Sequence, residues 1–228
     1  MALYDRDYTS TEAGYAQEGV SVSFMKKTYQ LFAASMLASA VGAYVAMPYA
    51  MEISNYRWFL FGFVMLMLWF GLSATRNKPG LNLAALFITT FAMGVMIVPM
   101  LAYYIGMGKG VVIGNAFLST AVLFGALSLF AINSKTDFSS WGKPLFITFI
   151  VLFVMSLVNY FIFNSPIMSV LISAGVLLLF SLFTIYDTQN IANGAYASPV
   201  DAAVTLFIDF FNMFTSLLQL LGLFGGDD

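Results

Sequence analysis

The chain has 228 residues, of which 61% are hydrophobic and only 9% charged, and its formal net charge is −2. Soluble domains average about 45–50% apolar and about 25% charged residues, so this composition excludes a water-soluble globule and leaves a polytopic membrane protein in contact with the lipid bilayer. The absence of Cys and His excludes disulfides, thiolate or imidazole metal sites and Ser-His chemistry, and the lack of a basic block excludes nucleic acid as a partner.

A bilayer core of about 30 Å needs roughly 20 apolar residues per helix. Residues 1–27 are polar and carry Asp5, Asp7, Glu12 and Glu18, which predicts a cytoplasmic N-terminal tail and not a secretory signal. Seven apolar spans follow, over 28–48, 57–74, 82–105, 110–132, 144–163, 167–191 and 202–224. They predict an all-α bundle with short loops, one transmembrane domain over 28–224, and a short acidic C-terminus at 225–228. Pro48 is expected to end span 1, and Pro99 to bend span 3. Gly42, Gly94, Gly114, Gly125 and Gly175 are expected to let helices approach closely, with Asn115 and Asn159 as packing groups. Ser165-Pro166 and Ser198-Pro199 read as N-caps followed by Pro at the first helical position, with Asp201 placed for a capping-box-like contact. Asn193-Gly194 reads as the stop of span 6. Span 7 is shorter and more polar than its neighbours, which marks it as a central helix and not a lipid-facing one.

Orientation follows from Lys and Arg. With the N-terminus in the cytoplasm, the inside segments carry Arg6, Lys26, Lys27, Arg76, Lys78, Lys135 and Lys143, and the outside segments only Arg57 and Lys109. Seven complete crossings put the C-terminus outside. A span 7 that dips in and returns would put it inside, and the sequence leaves both open.

Two ionisable carboxylates fall inside the spans, Asp187 in span 6 and Asp209 in span 7. Each costs about 2.5–3.5 kcal/mol at a helix centre on insertion scales, so each needs a partner or a function. The midpoint between them is residue 198, in the turn that joins the two spans. An antiparallel hairpin therefore holds both at one depth, near the cytoplasmic side. Facing carboxyls in low dielectric resist double ionisation and can share one proton, which makes a proton-sensitive element without histidine. Asp209, Asn212, Ser216 and Gln219 form one helical stripe on span 7, and Asn190 lies three residues beyond Asp187. These polar groups read either as interhelical hydrogen bonding or as the wall of an ion path. Arg76 ends span 2 on the same side, as an ordinary positive-inside anchor or as a partner for either Asp.

The stretch Ile185-Tyr186-Asp187-Thr188-Gln189-Asn190-Ile191, followed by Leu206-Phe207-Ile208-Asp209-Phe210-Phe211-Asn212 and Leu217-Leu218-Gln219-Leu220-Leu221-Gly222, resembles the Bax inhibitor-1 (TMBIM) family in its bacterial form. The resemblance covers nearly the whole chain. It implies six helices packed around a central C-terminal seventh, and a pH-sensitive calcium leak in which Asp187 and Asp209 form a hydrogen-bonded pair. It also implies a basic residue at the end of helix 2 that latches onto the pair, for which Arg76 is the nearest match. Family subtype and short tails together imply a bacterial inner membrane.

Three functions follow. The first is a passive cation leak gated by Asp187, Asp209 and Arg76, with Asn190, Asn212, Ser216 and Gln219 along the path. Ca2+ would be the transported ion, held weakly in transit by Asp187 and Asp209, and no cofactor would be needed. The second, which the resemblance supplies, is a regulator of a membrane quality-control protease or another membrane complex. The third is an intramembrane aspartyl protease. Such enzymes need a glycine-bearing motif at the second Asp, and Phe207-Ile208-Asp209-Phe210 has none, so an enzyme is not expected.

Overall fold

The computed structural model describes the backbone of residues 4–224 and the side chains of residues 22–223; the acidic stretch 225–228 lies outside the described residues. Seven helices are long and apolar enough to cross a bilayer, and among the described residues there is no β-strand. In chain order, spans 1 to 7 are Val22–Asn55, Arg57–Thr75, Pro79–Gly106, Gly110–Asn133, Ser139–Phe163, Pro166–Ala192 and Pro199–Leu223. The protein is a multi-pass helical membrane bundle.

Span 1 departs most from its expected bounds. One helix runs unbroken from Tyr4 to Ala46, so residues 4–27 of the polar stretch continue directly into the membrane helix. Nor does Pro48 end the span. It sits in the first turn of a short 3-10 segment, Met47–Tyr49, and the chain resumes as α-helix over Ala50–Asn55. Proline is tolerated there because its missing N–H would have no intrahelical partner. Span 3 runs helically through Pro99.

Half of the most apolar stretch of span 7 (50%) and slightly more of span 3 (56%) is buried, against 11–28% in the other five. Span 7 is thus interior, as its polarity suggested, and span 3 joins it there. Span 7 packs against spans 1, 3, 4 and 6. Its Phe210 ring meets Phe32 of span 1 and Phe117 and Phe124 of span 4. On its other side Phe207 packs with Val64, Ala92 and Met93 from spans 2 and 3. Lipid tails are as apolar as these side chains, so shape complementarity and aromatic geometry, at about 0.5–1.5 kcal/mol per ring pair, hold the contacts.

Spans 1 and 3 cross most closely. A Cβ on Gly42 would strike the Phe91 carbonyl, and one on Gly94 would strike the Ser39 carbonyl. Two of the five glycines therefore do what the sequence suggested. Gly114 and Gly125 instead face open space on span 4, and Gly175 approaches only the Leu152 side chain. Asn115 is exposed on span 4 and does not serve as packing, whereas Asn159 is buried.

Span 7 crosses the whole bundle and does not turn back. Its helix, Pro199–Phe224, has 26 residues, about 39 Å at 1.5 Å per residue. Near its far end the Lys109 ammonium donates to the Gly222 carbonyl at 3.3 Å. Lys109 lies in the turn between spans 3 and 4, on the face opposite the 193–198 turn. A cation there suits both the free carbonyls and the negative end of the helix dipole.

Gly94→Ala places a methyl group against backbone that cannot yield, and is expected to cost about 1–3 kcal/mol. Thermal melting in detergent should show a clear fall in midpoint for Gly94→Ala and none for Gly114→Ala.

Candidate functional site

The site grows from the last turns of span 6. Consecutive helical residues point about 100° apart, so Tyr186, Asp187, Thr188 and Gln189 reach four different neighbours. The Tyr186 hydroxyl fills the space where a Cβ on Gly142 of span 5 would stand. Thr188 Oγ1 donates to Ser128 Oγ of span 4 at 3.3 Å. The Gln189 amide clamps the loop between spans 4 and 5: its Oε1 accepts from the Phe138 N–H at 2.7 Å, and its Nε2 donates to the Thr136 carbonyl at 2.8 Å. Asp187 turns inward, toward span 7.

There it meets Asp209. The two carboxyls are interacting neighbours, only 3% and 2% exposed, and Asp209 Oδ2 is buried with no hydrogen-bond partner among the described residues. Carboxylates only accept hydrogen bonds, so adjacent ones can bond only when one carries a proton. A third group completes the set. Tyr196, in the turn between spans 6 and 7, donates its hydroxyl to Asp187 Oδ1 at 2.6 Å. Burial, and then the Asp187 carboxyl beside it, push the Tyr196 phenol far above its ordinary range. It therefore stays a donor wherever carboxyls titrate.

Toward the membrane face lies a polar cavity of about 410 Å³, lined in part by Ser73, Arg76, Tyr196, Asp201 and Thr205. Arg76 does not reach the aspartate pair. Its Nε lies 3.0 Å from Asp201 Oδ2. The reason is depth: Asp201 opens span 7 at the membrane face, and Asp209, eight residues on, lies about 12 Å deeper along the helix. The expected latch of Arg76 onto Asp187 or Asp209 is thus replaced by a tie to the first turn of span 7. Asp201 correspondingly makes no capping-box contact; Ser198 caps alone, its Oγ accepting from the Asp201 N–H at 3.1 Å. The Arg76 side chain is 52% exposed, so the pair is worth only about 0–1 kcal/mol and is readily exchanged.

The polar stripe of span 7 does not form one continuous wall. Asn212 donates to the Ile208 carbonyl of its own helix at 2.8 Å, and Ser216 is buried. Gln219 belongs to the opposite face. There it accepts from Ser173 beside a second polar cavity of about 350 Å³, which Asn159 and Ser169 also line. Asn159 holds that end together, accepting from the Ser165 N–H at 3.0 Å and donating to Ser169 Oγ at 2.8 Å. Between the two polar regions Leu206, Phe210 and Met213 fill the interior. Asn190 is half-buried in the last full turn of span 6. Among the described residues no three acidic side chains converge on a metal-sized site. Sequence reasoning missed Tyr196, Asp201 as the partner of Arg76, and the two hydrogen bonds made by the Gln189 amide.

Seven apolar crossings with a buried carboxyl pair between the last two define a helical membrane protein with an intramembrane acid site. A family model described as inhibitor of apoptosis-promoting Bax1 matches residues 21–226. Relatives include an uncharacterized protein of Helicobacter pylori strain J99, 41% identical over the full length of both chains. An uncharacterized protein of Campylobacter jejuni is 43% identical over 97% of each chain. An uncharacterized membrane protein of Vibrio cholerae is 31% identical over 90% of this chain and 91% of its own. The chain belongs to the Bax inhibitor-1 family.

Gln189→Leu would leave the Phe138 N–H and the Thr136 carbonyl without their partner, at a cost of about 1–3 kcal/mol each if they stay buried. Hydrogen exchange should quicken at the Phe138 amide while amides in the middle of span 3 keep their protection.

Proposed function

We propose that this protein is a pH-sensitive leak for cations, with Ca2+ as the transported ion and the Asp187–Asp209 pair as its gate. What carries the reading is the pair itself: two almost fully buried carboxyls side by side, with a phenol donating to one of them. With one proton between them the carboxyls bind spans 6 and 7 together, and packed side chains fill the interior beyond. Loss of that proton turns a hydrogen bond into repulsion between like charges in a low-dielectric site. The same deprotonation creates two adjacent anionic ligands. Calcium takes six to eight oxygens, so two carboxylates with water and the nearby Asn190 and Asn212 amides make a weak site, suited to passage and not to storage. The exchangeable Arg76–Asp201 tie restrains span 2 at the mouth.

Charge distribution supports a cytoplasmic N-terminus. Lys26, Lys27, Arg76, Lys78, Lys135 and Lys143 lie toward the face of the 193–198 turn, and Arg57 and Lys109 toward the other. Under the positive-inside rule the aspartate pair then lies near the cytoplasmic side, of the inner membrane in a bacterium.

The sign is fixed by the mechanism: flux rises with pH as the shared proton leaves. Asp187→Asn and Asp209→Asn each keep a hydrogen-bonding side chain that no longer titrates, and should flatten this rise. A change of about tenfold across the transition corresponds to about 1.4 kcal/mol in the open–closed balance. Ca2+ uptake into liposomes under stepped pH measures it. Variants that leave both flux and its pH dependence unchanged would refute the gate.

A further inference from the structure

The polar cavity and the carboxyl pair are neighbours, yet neither Asp187 nor Asp209 lines the cavity; Tyr196 touches both. Its hydroxyl bonds Asp187 on one side and adjoins Thr205 of the cavity wall on the other. The charged groups around it are Asp187 on span 6, Asp209 and Asp201 on span 7, and Arg76 on span 2.

The backbone around Tyr196 is held on both flanks. The stop of span 6 is tied by Asn193, Gly194 and Ala195 N–H groups donating to the Gln189, Ile191 and Asn190 carbonyls at 2.9–3.1 Å. Gly194 takes φ +71°, which glycine adopts without strain. Span 7 begins again at the Ser198 cap. Tyr196 and Ala197 bridge these two fixed ends, where a small backbone rotation moves a whole aromatic ring.

We infer that Tyr196 is the lid between the polar cavity and the carboxyl pair, held shut by its hydroxyl bond to Asp187. The cavity is then an aqueous vestibule. Small hydrated cations enter it freely and reach the aspartates only when the ring swings aside. As a positioning residue, Tyr196 also orients the Asp187 carboxyl toward Asp209. The function assigned to the vestibule rests on the proposed leak; the lid itself does not.

The chain contains no cysteine, so single-cysteine variants report access cleanly. The protein is placed in lipid nanodiscs, which expose both faces, and is treated with a charged methanethiosulfonate reagent. Thr205→Cys, on the vestibule wall, should label fast. Asp209→Cys, behind the lid with the Tyr196–Asp187 bond intact, should label at least about tenfold more slowly. Adding Tyr196→Phe removes the hydrogen bond that holds the ring to Asp187 and should speed labelling of Asp209→Cys by about tenfold. Adding Tyr196→Ala should bring it close to the Thr205→Cys rate. The Phe variant keeps the ring and guards against misfolding, and each variant's melting midpoint is recorded. Asp209→Cys that labels as fast as Thr205→Cys with Tyr196 in place overturns the lid. So does protection that persists in both Tyr196 variants while their melting stays near the parent's. Because labelling is blind to Ca2+ flux, a failed lid and a failed leak are separate results.

Discussion

A charged or polar group in hydrocarbon must find its partner inside the protein, because no water is there to supply one. The meeting of Asp187 and Asp209 is the sharpest case in this molecule, and much of the surrounding architecture serves it. Span 6 delivers one carboxyl and span 7 the other at matched depth, since the turn between them lies midway. Tyr196 comes back from that turn to donate to Asp187. Deeper along span 7, Phe210 and Met213 fill the interior, so the carboxyls have little but each other and the phenol to bond with.

Other polar ties hold the helices where a side chain reaches a backbone end or a second helix. Gln189 grips the loop between spans 4 and 5 with both ends of its amide. Asn159 does the same for the turn between spans 5 and 6. Lys109 closes the end of span 7. Thr188 to Ser128, Ser173 to Gln219, Asn82 to the Leu72 carbonyl, Arg57 to Tyr160 and Arg76 to Asp201 add further ties between helices, and aromatic and aliphatic packing fills the space around them, in a medium that gives no hydrophobic driving force between helices.

The number and order of the spans were legible from hydropathy alone, because a 20-residue apolar run admits few alternatives. So was the pairing of Asp187 with Asp209, because a turn at residue 198 makes them equidistant from it. Span 1 was misjudged at both ends, since polar residues can continue a helix into water and Pro48 could begin a turn as easily as end one. Arg76 was aimed too deep: spacing along one helix says nothing about how far a side chain on another must reach. Gly114 and Gly125 carry the same signal as Gly42 and Gly94, and only the assembled bundle separates glycines at a crossing from those facing lipid. Tyr196 had no pattern to betray it, because a single aromatic in a turn gives no direction.

The crossing of spans 1 and 3 bears on how the molecule can move. With Gly42 against Phe91 and Gly94 against Ser39, bare main chain lies on bare main chain at two levels, and no side chain can readjust to fill a gap. Prising this seam apart would leave two empty troughs facing lipid. Spans 1 and 3 therefore act as a keel, and whatever shifts when protons come and go must shift around it. Span 2 is bound to the same unit, with Val64 and Leu72 packed into the interior and Asn82 of span 3 donating to the Leu72 carbonyl at 3.2 Å, so its exposed ion pair with span 7 is the contact most readily exchanged.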